Sequence, residues 1–175
     1  MDGLAYDNDR GVILKTGKGN LIVIDNQTKQ IIGHSNISEI HVGITYVPYI
    51  HMLVGYSGGS LKYYKYNPSN NTYEKQGKVN LQNWNGDSIQ GIGTDGTNIF
   101  IADSSPDGGK RALYTYSLKG EKLEERTFGS GFGSMSDEVE AAFADNAGNL
   151  YLVCPQGIGR VTNYRANRIG LTDNS

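Results

Sequence analysis

The chain has 175 residues and a formal net charge of −2, from 16 Lys and Arg against 18 Asp and Glu. That length supports one domain with a real core and is short for two; the charge balance gives no basic field to hold a phosphate backbone, which argues against nucleic acid as a partner. The 24 glycines and 12 tyrosines, many turns beside many aromatic strand formers, point to an all-β protein.

The start, Met1-Asp2-Gly3-Leu4, has neither the basic residues nor the apolar stretch of a signal peptide. The longest apolar runs, such as Leu21–Ile24, are far below the roughly 18 residues of a membrane span. These features set the expectation of production in the cytoplasm and no membrane partner. The lone cysteine, Cys154, excludes an internal disulfide and a Cys-rich zinc site. Its setting, Leu150-Tyr-Leu-Val-Cys154, reads as a buried, inert thiol in a strand.

Along the chain one pattern recurs four times: a small residue, an apolar anchor, a turn, then a short apolar strand. The copies begin at Gly3-Leu4, Gly43-Ile44, Gly91-Ile92 and Ala141-Ala142, with anchors spaced by 40, 48 and 50 residues. A second strand pair follows each copy. Asn20–Asp25 precedes Lys29–Gly33, and Leu61–Tyr66 precedes Thr72–Val79. Ala112–Leu118 precedes Glu121–Phe128, and Gly159–Arg165 precedes Arg168–Thr172. Turn formers lie between the members of each pair, such as Asn26-Gln27 and Lys119-Gly120.

Four units of four short antiparallel strands make a β-propeller layout, a single domain with blades near 1–40, 41–88, 89–138 and 139–175. Ile99-Phe-Ile-Ala and Leu150-Tyr-Leu-Val are almost continuously apolar, as expected for strands near the channel and covered on both faces. An amphipathic helix over Ser134–Ala144 is the competing local reading, but the repeat places Ala141–Ala144 in a strand. Either a small four-bladed ring or a segment of a larger propeller is expected, because no spare N-terminal strand is available to complete the last blade. Assembly with further blades or with other copies follows from the second form.

The units resemble the Asp-x-x-Gly-Asn-aromatic repeats of NHL and gluconolactonase-like propellers. Asp145-Asn-Ala-Gly-Asn-Leu-Tyr151 is the best match, then Asp95-Gly-Thr-Asn-Ile-Phe100. The resemblance implies a hairpin between the first two strands of a blade, its carboxylate capping the turn and Gly or Asn in the left-handed position. The first two units depart from it: Asp7-Asn-Asp-Arg-Gly11 is rearranged, and Val47-Pro-Tyr49 has lost the carboxylate.

Familiar chemical motifs are absent in the arrangement their mechanisms need. Gly91-Ile-Gly-Thr-Asp-Gly96 spells a dinucleotide fingerprint but is followed by a strand, so no helix N-terminus meets a pyrophosphate. Asp7, Asp9 and Gly11 open like a calcium loop, yet Val12 and Lys18 stand where that loop needs Gly and Glu. His34, His41 and His51 have no ligand spacing, and His51 is assigned to an apolar strand. No nucleophile elbow or paired-carboxylate motif appears locally.

Propeller topology gathers the remaining candidates at one mouth of the channel. There the loops Asn80–Gln90, Gly55–Ser60 and Asp103–Arg111 converge, carrying Trp84, Asp87, Gln90, Tyr56, Asp103 and Arg111. Trp84 sits in Gln82-Asn-Trp-Asn-Gly-Asp87, an aromatic ring among amides and a carboxylate. That suits a sugar, whose C–H face stacks on the ring while its hydroxyls bond the polar groups; a Trp plugging a gap between blades fits equally. Glu138 and Glu140, two apart, would share one side of a strand at the channel mouth, as cation ligands or a solvated rim.

Two functions are consistent with these residues. One is a non-enzymatic binding propeller, without cofactor, presenting loops to a carbohydrate, a cell-wall glycopolymer or a protein. The irregular blades and the Tyr-Lys-Tyr and Leu-Tyr-Thr-Tyr strands resemble propellers in phage tail receptor-binding proteins, which implies contact with wall glycopolymers and a virion as the setting. The alternative is a calcium-dependent lactonase or esterase-like hydrolase similar to the gluconolactonase-like family, with Asp103, Glu138 and Glu140 supplying oxygen ligands.

Overall fold

The computed structural model describes residues 3–17, 19–40, 42–104, 111–127, 141–145, 149–154 and 157–160, with backbone alone at 111, 154 and 157–160. The structure is all-β, a series of antiparallel propeller blades. Blade 1 runs β1 (Leu4–Asp7), β2 (Val12–Gly17), β3 (Asn20–Asp25) and β4 (Ile31–Asn36), hydrogen-bonded in chain order. Blade 2 runs β5 (Val42–Val47), β6 (Met52–Ser57), β7 (Ser60–Asn67) and β8 (Thr72–Asn80); blade 3 runs β9 (Ile89–Thr94), β10 (Asn98–Ser104), β11 (Arg111–Ser117) and β12 (Lys122–Thr127). Blade 4 contributes β13 (Ala141–Ala144), β14 (Leu150–Cys154) and β15 (Gly157–Arg160). The expected strand Arg168–Thr172 and the candidates Glu138 and Glu140 lie outside the described residues. No helix among the described residues is long and apolar enough to cross a membrane.

Short polar side chains set the turns. Asp95 Oδ1 accepts from the backbone N–H groups of Thr97 and Asn98 at 2.9 and 2.7 Å, with Gly96 at φ +98°. Asp145 Oδ1 accepts from the Asn149 N–H at 2.8 Å, and its Oδ2 from Asn149 Nδ2 and the Tyr151 hydroxyl. Asp7, in the rearranged first unit, does the same for Asp9 and Arg10. Each carboxylate satisfies donors that the turn would otherwise leave open. Asp25 caps Gln27 and Thr28 and Lys29 takes φ 60°, so this turn runs further than its sequence suggests. That displaces β4 from the expected Lys29–Gly33 to Ile31–Asn36.

Blade 2 solves the same turn without a carboxylate of its own. Pro48–Ile50 forms a 3-10 turn, and His51 takes φ 54° at its end rather than lying in a strand. Its Nδ1 sits 2.7 Å from Asp9 Oδ2, and the Tyr46 hydroxyl donates to the same oxygen. The acid comes from the neighbouring blade.

Among the described residues, three cores lie between the four blades. Val12, Leu14, Leu21 and Val23 of blade 1 meet Ile44, Tyr46, Leu53, Tyr64 and Tyr73 of blade 2. Val54, Tyr56, Leu61 and Tyr63 of blade 2 meet Ile92, Ile99, Ile101, Tyr114 and Tyr116 of blade 3. Phe100, Ala102 and Leu113 then pack on Ala142, Leu150 and Leu152. Strand alternation sends one side-chain set to each neighbour, and each fully buried large apolar side chain contributes roughly 1.5–3 kcal/mol.

The first strands β1, β5, β9 and β13 lie side by side around the channel. The nearly continuous apolar strands are therefore second from the channel. Every residue of β10 is buried, because a second strand has both edges paired as well as both faces covered. Approach between first strands is closest at Gly93, where a methyl group would overlap the Ala142 carbonyl. Among the described residues, no comparable approach joins β13 back to β1.

Candidate functional site

The segment from Leu81 to Ser88, between β8 and β9, is held from several directions. The Leu81 N–H donates to the Gly59 carbonyl at 2.9 Å and the Gln82 N–H to that of Gly120 at 2.8 Å. The Ser104 N–H donates to the Ser88 carbonyl, the Tyr116 hydroxyl to the Gln82 carbonyl at 3.2 Å, and Lys122 Nζ to Asn85 Oδ1 at 2.8 Å. A loop with this many anchors presents its side chains in a fixed geometry, which is what a recognition surface requires.

Trp84 stands at its centre and fits between blades 2 and 3. Ring centroids lie 5.3 Å away at Tyr56, 5.2 Å at Tyr114 and 6.0 Å at Tyr116, all tilted. Gly59 and Gly86 close on the indole, and a methyl group at Gly86 would overlap it. The ring is half-buried rather than enclosed. Around it Gln82, Asn83, Asn85 and Asp87 are exposed, and Asn83 is held at φ 50°.

Asp103 departs from its expected place. It lies within β10 instead of opening the following loop, and it is fully buried. Its carboxylate accepts from the Asp87 and Ser88 N–H groups at 3.2 and 2.9 Å, and from the Tyr114 hydroxyl at 3.4 Å. Burial pushes its pKa up; the two backbone N–H bonds oppose that, and the neighbouring Asp87 carboxylate adds to it. Asp103 thus anchors the loop from beneath. Gln90 is half-buried with its Nε2 donating to the Ser104 carbonyl at 3.2 Å.

Tyr56 joins the group from blade 2. Its hydroxyl accepts from the Gly59 N–H at 3.0 Å. Its pKa is raised chiefly by burial, with the Asp103 charge adding to the shift. The structure thus brings together Tyr56, Trp84, Asp87, Gln90 and Asp103. Arg111 starts β11, beside Ser104 in the ladder, and its side chain lies outside the described residues. Tyr114 and Tyr116, which complete the aromatic seat, went unassigned in the sequence although Leu113-Tyr-Thr-Tyr116 is a visible alternating strand.

Two further features escaped the sequence. Between blades 1 and 2, at the opposite mouth, Asp7, Asp9, Arg10, Tyr46, His51 and Tyr73 form one polar network. The Tyr46 and His51 bonds hold the Asp9 pKa below the usual carboxylate range, while burial and then the Asp9 bond push Tyr46 up. A groove of about 470 Å³ runs between the outer strands of the same blades, lined by Glu39, Tyr64, Tyr73 and Lys75 among others. Its Glu39 already pairs with Lys62 and Lys75 at 3.2 and 2.6 Å. Among the described residues no three His, Cys, Asp or Glu side chains gather as a cation would need.

No protein-family model and no curated protein matches the chain. Solved structures match it at the level of fold. It is similar to Myxococcus xanthus glutaminyl cyclase, with a TM-score of 0.66 and 14% identity, over 91% of this chain and 72% of that one. It is similar to a chain of the nidogen/laminin complex, at 0.62 and 14%, over 87% of this chain and 56% of that one. The Neurospora crassa Pan2 WD40 domain matches at 0.52 and 9%, over 89% of this chain and 49% of that one. The chain therefore spans about half of the last two and more of the first. These likenesses place its fold among the β-propellers.

Proposed function

We propose that this propeller is a non-enzymatic binding module whose Leu81–Ser88 loop takes a carbohydrate, with a cell-surface glycopolymer such as a phage tail protein meets as the natural setting. The observation that carries this reading is the half-buried Trp84, seated on Tyr56, Tyr114 and Tyr116 and ringed by exposed Gln82, Asn83, Asn85 and Asp87. A half-buried aromatic ring among amide and carboxylate groups matches a sugar's mixture of C–H faces and hydroxyls. The anchored backbone keeps the ordering cost of binding low. Asp103, fully enclosed and occupied by loop N–H groups, supports anchoring rather than the acid–base or cation chemistry of the hydrolase alternative.

A glycan array screened beside an ester and lactone panel, with and without calcium, tests the proposal. Retention of a glycan and no turnover is the expected result. Asp87→Ala and Gln82→Ala, both at exposed positions, should each weaken that binding about tenfold while the melting temperature stays within a degree or two. Calcium-dependent turnover without glycan retention overturns the reading.

A further inference from the structure

Of the chain's asparagines, Asn85 alone precedes a glycine, and the packing of Trp84 gives a reason for that glycine. A methyl group at Gly86 would overlap the indole at Cζ2 and crowd Ile89. No side chain can stand there, so the Gly86 nitrogen has no Cβ to shield it. Nearby N–H groups are occupied: that of Gln82 donates to the Gly120 carbonyl, and that of Asp87 to the Asp103 carboxylate. Among the described residues the Gly86 N–H meets no acceptor.

Asn85 itself is exposed to water, and Lys122 Nζ donates to its Oδ1 at 2.8 Å. An ammonium on that oxygen draws electron density from Cγ and stabilises the negative charge that gathers on Oδ1 when a nucleophile adds. The nucleophile is the next backbone nitrogen. Its attack closes a five-membered ring, an intramolecular step with the high effective concentration of such reactions. Asn26 supplies the contrast. Its Oδ1 accepts from Lys29 Nζ at 2.9 Å, but the following nitrogen belongs to Gln27 and has that side chain beside it.

We infer that Asn85-Gly86 is a self-modification site, where deamidation assisted by Lys122 and consuming one water turns the amide beside Trp84 into a carboxylate. The Gly86 nitrogen gives its proton to solvent base and bonds Asn85 Cγ. The Cγ–Nδ2 bond breaks, Nδ2 leaves as ammonia, and a succinimide remains. Water then opens the ring at one carbonyl or the other, yielding aspartate or isoaspartate; nothing is oxidised or reduced. The isoaspartyl product lengthens the main chain by one carbon between the anchors at Gln82 and Asp87, which displaces the segment that seats Trp84. The modification needs no ligand and is independent of what the loop binds.

Incubation of the full chain at mildly alkaline pH and body temperature, followed by digestion and mass mapping, tests the inference. The peptide bearing Asn85 should gain about 1 Da and split into two chromatographic forms, while the peptide bearing Asn26 stays as it was. Emission from Trp84, the only tryptophan, should shift in step with that gain. Lys122→Met should slow the reaction about fivefold and Lys122→Arg, which keeps the charge, should restore it; Asn85→Gln, which would have to close a larger ring, should abolish it. Modification of Asn85 no faster than that of Asn26 overturns the site. A Lys122→Met rate equal to the wild type's in a chain of unchanged circular dichroism overturns the role of the ammonium, and unchanged Trp84 emission in the modified chain overturns the displacement.

Discussion

The hydroxyl of Tyr73, on the outermost strand of blade 2, donates to the carboxylate of Asp7 on the innermost strand of blade 1 across 2.5 Å. Both residues are buried, and Arg10 Nη1 reaches the same phenol oxygen at 3.0 Å. The bond ties two blades together where water cannot replace it. Tyr73→Phe leaves the Asp7 carboxylate short of a donor and should cost about 1–3 kcal/mol. Tyr66→Phe, which loses only an exposed bond to Asn71, should cost about 0.5 kcal/mol or less. Urea unfolding of both variants measures the difference; equal losses would contradict the buried bond's role.

Asp145 caps its hairpin through three donors. Asp145→Ala should lower stability by about 1 kcal/mol, the scale of a lost side-chain cap. Glycan binding should be untouched, since the hairpin opens at the other mouth from Trp84. Loss of binding at an unchanged melting temperature would show that the residue belongs to the site.

The buried Asp103 has its pKa raised on folding, so the folded state favours its protonated form. Its contribution to stability is therefore fully present below the ordinary carboxylate range and is lost as pH rises through the raised value. Asp103→Asn cannot titrate. The stability of the wild type minus that of the variant should fall as pH rises from about 4 and then level off. Thermal melts of both proteins across that range test the sign, and a difference that grows with pH would refute it.

At Gly93 the blade 3 backbone meets the Ala142 carbonyl with no room for a methyl group. Gly93→Ala should separate β9 from β13 and cost about 3 kcal/mol, the upper end for overpacking against atoms that cannot yield. Limited proteolysis should then cut ahead of blade 4 while blades 1 and 2 stay protected. An unchanged digestion pattern would mean that the two strands slide apart without penalty.

The blades were legible because strand alternation and turn carboxylates are local: Asp95-Gly96 and Asp145 announce their hairpins within a few residues. The loop cluster was legible in part, since topology alone brings Tyr56, Trp84 and Asp87 to one mouth. Burial was not. Whether Asp103 ends a strand or opens a loop depends on the N–H groups of Asp87 and Ser88, 15 to 16 residues away. The Tyr114 and Tyr116 seat depends on which face of β11 meets blade 2, a register that a single strand does not declare. His51 was misplaced because its partner, Asp9, lies 42 residues earlier.

That loan of Asp9 to His51 and Tyr46 ends the equivalence of the repeats. A blade that carries its own turn acid can be duplicated, deleted or transplanted as a module. Blade 2 is a tenant of blade 1: moved elsewhere in a recombined propeller, it would arrive with the buried Tyr46 phenol lacking its acceptor, while the exposed His51 would turn to water. A rearrangement that carries the first two units as one piece keeps that bond; one that cuts between them gives it up.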